Sequence, residues 1–80
     1  IEDLIRLYPN PSYDGRFKIK VSGDNPIDAI SVFDAKGNLK WNEEKIDMTS
    51  FYFERALEGG VYLVVVEMNG MSVTKRLVVL

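Results

Sequence analysis

Eighty residues make room for one small domain, and ten basic against twelve acidic side chains give a net charge of −2 with no block of either sign. That balance argues against nucleic acid and anionic membranes as partners. Cysteine and histidine are both absent, which removes disulfides, thiolate metal sites, the commonest zinc ligands and the usual nucleophile–base pairs. No enzyme, cofactor or metal site is expected.

The longest apolar run, VYLVVV at 61–66, is far shorter than the ~20 residues of a membrane-spanning helix, so direct membrane insertion is not expected. The chain starts on Ile1 without a signal peptide, and residues 1–80 are read as a single domain excised from a longer polypeptide. A chain this short buries only about 60–65% of its unfolded surface, which keeps the core small.

Period two runs through the chain. Phe17, Ile19 and Val21 alternate with Lys18, Lys20 and Ser22, as in a strand with one wet face. In chain order the pattern predicts strands near 3–8, 16–22, 27–34, 38–42, 45–53, 61–68 and 71–79. YPNPSYDG at 8–15 holds two prolines and a glycine and reads as an irregular connection. GDNP at 23–26 and EGG at 58–60 are turns; DAKG at 34–37 and MNGM at 68–71 are hairpin signals, with Asn69-Gly70 suited to type I′. WNEEKIDMTSFYFERALE at 41–58 is ambiguous, since FYFERALE also fits a helical turn, but strand is favoured. The expected fold is all-β, an immunoglobulin-like antiparallel β-sandwich of about seven strands.

Glu43 and Glu44 are adjacent, so on a strand they point to opposite faces and do not converge on one substrate. Asp14, Asp24, Asp28, Asp34 and Asp47 sit near turns, where local backbone bonding explains them better than calcium. Trp41, Phe51, Tyr52 and Phe53 are read as core ahead of a sugar-binding platform.

VYLVVV is apolar on both faces, and a two-layer sandwich covers only one of them, so the other calls for a loop or a partner. The last strand is mixed. Val73, Lys75, Leu77 and Val79 share one face; Ser72, Thr74, Arg76, Val78 and Leu80 share the other. A bulge near Lys75 and Arg76 would switch the facing; without one the strand serves a core and a partner together.

YPNP at 8–11, RFKIKVS at 16–22, ISVFDAKGNL at 30–39, GGVYLVVVE at 59–67 and VTKRLVVL at 73–80 occur in this order. Together they resemble the type A C-terminal sorting domain carried by type IX secretion cargo of Bacteroidota. The resemblance covers nearly the whole chain. It implies an immunoglobulin-like sandwich at the end of a larger exported protein, which passes through the periplasm to the cell surface or beyond. The implied partners are the outer-membrane translocon, a surface sortase that removes the domain, and the covalently linked upstream cargo. By motif, Tyr8, Pro9, Asn10 and Pro11 match the entry segment, Gly60 and Tyr62 the G-x-Y motif, Lys75 and Arg76 the basic pair, and Leu77, Val78, Val79 and Leu80 the apolar terminus. The stretch between Trp41 and Gly60 departs from the usual family pattern.

Physically, an uncapped final strand offers backbone groups to a receptor by strand addition. Lys75 and Arg76 would meet an acidic groove; alternatively they are surface cations that keep an edge strand from aggregating. The competing functional reading is an adhesive or carbohydrate-binding sandwich appended to a secreted enzyme.

Overall fold

The computed structural model describes residues 4–80. Its strands are β1 (Ile5–Tyr8), β2 (Phe17–Val21), β3 (Ile27–Asp34), β4 (Leu39–Met48), β5 (Ser50–Phe53), β6 (Gly60–Met68) and β7 (Met71–Val79). One sheet has the order β1-β2-β5 and the other β4-β3-β6-β7, with every pairing of named strands antiparallel. The chain changes sheet after β2, β4 and β5, and the expected immunoglobulin-like sandwich results.

Alternation decides what lies between the layers. Phe17, Ile19 and Val21 of β2 and Phe51 and Phe53 of β5 point inward, against Ile30 and Val32 of β3, Val64 and Val66 of β6, and Leu77 of β7. Phe17 stacks on Phe53 with ring centres 4.8 Å apart, and Trp41 meets Phe53 edge-on at 5.0 Å. Trp41, Phe51 and Phe53 are therefore core or core-lining, as expected; Tyr52 faces outward and is 61% exposed.

The boundaries within 38–53 differ from expectation. The strand foreseen at 38–42 continues to Met48, and the one foreseen at 45–53 is divided: its first residues belong to β4 and its last to β5. The reason is a bulge. Lys45 and Asp47 adopt φ of 57° and 51°, and while β3 advances from Ile27 to Ala29 its partner runs from Met48 to Glu44. This turns Ile46 into the core between two exposed neighbours. The sheet change falls at Thr49, whose carbonyl accepts a hydrogen bond from Val21 N–H at 2.8 Å. FYF is strand, not helix.

The turns follow the sequence. Asn69 and Gly70 take positive φ in the β6–β7 hairpin, and Asn69 N–H donates to Asp28 Oδ2 at 3.1 Å. Asp34 Oδ1 accepts from Lys36 N–H and Asn38 N–H, both at 2.9 Å, and Asp14 Oδ1 accepts from Arg16 N–H at 3.0 Å. The Arg16 backbone N–H, followed by its side chain 2.7 Å from the carboxylate, holds Asp14 below its ordinary pKa. Asn38, chiefly through its backbone N–H, does the same for Asp34. A carboxyl group whose pKa is lowered by folding adds stability that is complete above its unfolded pKa, about 3.9, and is lost as pH falls through the lowered native value. Unfolding midpoints are therefore expected to drop below about pH 4, and less steeply in Asp34→Asn and Asp14→Asn. Denaturant titrations at stepped pH check this, and equal acid slopes in all three chains would contradict it.

Candidate functional site

β7 pairs with β6 without interruption, from Gly60 opposite Val79 to Met68 opposite Met71. No bulge occurs at Lys75 and Arg76, so the facing never switches. Val73, Leu77 and Val79 are buried, with Leu77 at 0% exposure, and Lys75 lies half-buried on the same side. Ser72, Thr74, Arg76, Val78 and Leu80 occupy the outer side. The basic pair is thus split between opposite faces and does not present one bidentate surface.

Around Arg76 the outer face is apolar. Its cross-strand neighbour Leu63 is 39% exposed and pairs on its other side with half-buried Phe33. Val61 sits opposite Val78, Val65 is half-buried beside them, and Leu80 is 63% exposed. VYLVVV therefore spends Tyr62, Val64 and Val66 on the core and shows Val61, Leu63 and Val65 outward. Leu63 is the most exposed of these three, and Val61 and Val65 are half-buried.

Gly60 opens β6 opposite Val79, and Tyr62 acts on the fold. Tyr62 is buried, and its hydroxyl donates to the Glu58 carbonyl at 2.7 Å, which holds the segment leading into β6 against the start of that strand. Burial first, then the nearby Glu58 and Asp34 carboxylates, raise the Tyr62 pKa, so the phenol keeps the proton this bond needs. Gly59 runs beside the last residue: a Cβ there would stand 3.5 Å from the Leu80 carbonyl carbon.

The entry motif joins the terminal strand, which the sequence did not announce. Both the Tyr8–Pro9 and Asn10–Pro11 peptide bonds are cis. Asn10 Nδ2 donates to Arg76 O at 2.6 Å, and Val78 N–H donates to Asn10 Oδ1 at 3.0 Å. Next to this, Ser12 N–H donates to Val78 O at 2.8 Å and Leu80 N–H to Ser12 O at 2.9 Å, a short parallel bridge. The expected uncapped edge is therefore covered from Arg76 to Leu80. Prolines on both sides of Asn10 lack the N–H of a ladder, and the Asn10 amide supplies a donor and an acceptor in place of a peptide group.

Ser12 was not among the residues singled out from sequence. It is fully buried, its hydroxyl donating to Arg16 O at 2.8 Å and accepting from Gly15 N–H at 2.9 Å. In the sequence it is one more small polar residue in a turn-rich stretch. Tyr8 lies elsewhere, on the outer face of the three-stranded sheet, where the Lys18 ammonium sits 5.9 Å from its ring centre and 4.7 Å from that of Tyr52. The entry motif thus divides, with Tyr8 on one sheet and Asn10 on the edge of the other.

The model of the secretion system C-terminal sorting domain family matches residues 6–80, taking in both the entry segment and the terminal strand. The chain belongs to this type IX sorting-domain family. No curated protein matches it. The family is one of secretion signals and is not a catalytic family. The family implies dealings with the type IX machinery and export to the cell surface or the extracellular space.

Proposed function

We propose that this sorting domain is a transport address joined to an upstream cargo, carried through the periplasm, read by the outer-membrane translocon and then removed by a surface sortase. The observation that carries the reading is the outer side of β7: Arg76 stands in an apolar surround of Leu63, Val61, Val78 and Leu80, on a strand whose other side is core. A cation with no ion pair among the described residues, set in partly exposed apolar surface, fits a partner groove that is apolar with an acidic group in it. Of the residues drawn from the family motifs, Arg76, Val78 and Leu80 are the ones a partner touches. Tyr62, Leu77 and Val79 hold the strand in place. Lys75, on the inner side, contributes through the fold. The competing sugar-binding reading leaned on Trp41, which packs 5.5 Å and 5.0 Å from the Phe51 and Phe53 rings.

Deleting residues 77–80 would also remove two core side chains, so loss of export would not distinguish recognition from folding. Substitution on the outer side does. A periplasmic reporter carrying Arg76→Glu is expected to leave type IX-competent cells about tenfold less efficiently or worse, as for a central interface residue. Its unfolding free energy is expected to stay within about 0.5 kcal/mol of wild type, as for other exposed sites. Normal export of this variant would overturn the assignment of Arg76.

A further inference from the structure

The edge of β7 is occupied along one half only. Arg76 O, Val78 N–H, Val78 O and Leu80 N–H are bonded by Asn10 and Ser12. Towards Met71 the same edge meets no strand among the described residues, because β7 ends the four-stranded sheet. In an antiparallel ladder alternate residues direct both backbone groups to the same side, so Ser72 and Thr74 face this open stretch in line with Val78. The other sheet edges are poorer templates. β1 and β5 are four residues long, and β4 is broken by the bulge at Lys45 and Asp47.

The cover itself is an incomplete strand. Two of its four bonds come from a side chain, and Pro9 and Pro11 cannot donate. A continuous peptide would supply backbone groups to the whole length from Ser72 to Leu80, including the positions now filled by the Asn10 amide.

We propose that residues 10–12 are a displaceable latch, and that the partner which reads this domain does so by adding an extended segment of its own along the β7 edge. The segment seats first at residues 72–74 and replaces Asn10 and Ser12 as it extends towards Leu80. Its backbone supplies the pairing, while Arg76 and Val78 on the outer face supply selectivity. This rests on the sorting reading and deepens it: the entry motif and the terminal strand are two halves of one switch, closed in the free domain and opened on docking.

The test uses Asn10→Ala, which removes both side-chain bonds, beside Ile46→Val, which thins the core at the far edge of the same sheet. Amide hydrogen exchange is read at Val78 and Leu80, which face the latch, and at Leu77 and Val79, which face β6. Asn10→Ala is expected to speed the first pair about fivefold or more, the effect of losing an ordinary hydrogen bond, and to leave the second pair unchanged. Exchange of all four amides in step would overturn the latch. In a type IX-competent cell the Asn10→Ala reporter is expected to be exported at least as fast as wild type, while Ile46→Val at matched melting temperature is slower. Export of both variants falling together would show that Asn10 is structural and would overturn the proposal. Retention of the wild-type reporter would instead overturn the sorting reading, with the exchange pattern still deciding whether the latch opens on its own.

Discussion

Truncation of Leu77 to alanine is expected to lower the unfolding free energy by about 3 kcal/mol, against less than about 1 kcal/mol for Val78→Ala next to it. Leu77 is 0% exposed, opposite Tyr62 and inside the contact between the sheets, whereas Val78 is half-buried on the outer face. Removing a fully buried leucine loses its transfer free energy and leaves a cavity that the two sheets close only in part. At roughly 0.05–0.15 kcal/mol per residue, that loss is a large share of the stability of so short a chain. The melting temperature should fall by about 12–24 °C for Leu77→Ala. Urea denaturation of the two variants with an unchanged m value checks the contrast, and equal losses would mean that the facing of β7 is wrong. It follows that lost export in Leu77→Ala reports folding, while lost export in an outer-face variant reports recognition.

Gly15→Ala is expected to cost about 3–4 kcal/mol, for two separable reasons. Gly15 has φ of +95°, a region that an L-residue enters at a cost of about 1–2 kcal/mol. In addition, a Cβ there would stand 2.4 Å from the Leu57 backbone nitrogen and 2.6 Å from its Cβ. Leu57 N–H donates to Asp14 O at 3.0 Å, and its side chain packs on the core edge, so moving it breaks a bond and loosens the 54–59 connection. Gly37 is the control: φ is +89° but nothing lies within 4 Å of its Cβ position. Gly37→Ala should therefore show the conformational cost alone, about 1–2 kcal/mol. Thermal unfolding of both variants reads the difference, and equal shifts would mean that the Gly15–Leu57 approach does not hold.

The bulge in β4 shows why one stretch resisted reading. Positive φ falls on Lys45 and Asp47, residue types that give no glycine signal, and the period-two pattern breaks there without a turn motif to explain it. Elsewhere the same pattern was sufficient. FKIKV, the Asn69-Gly70 hairpin and the Asp34 turn each carry their structure in local residue chemistry, since strand facing and turn type depend on neighbours in the chain.

What the sequence determined by itself was the all-β sandwich, the position of most strands and the family, because alternation, turn residues and ordered motifs are local or additive signals. Tertiary structure alone decided how the terminal strand is used. VTKRLVVL offers apolar residues to both faces, and only the unbroken register with β6 assigns Leu77 and Val79 to the core and Arg76, Val78 and Leu80 to the outside. Likewise Asn10 between two prolines reads as turn chemistry until the sandwich closes. The fold then carries it across 66 residues of sequence to the carbonyl of Arg76, because the edge of β7 leaves backbone groups that folding must satisfy.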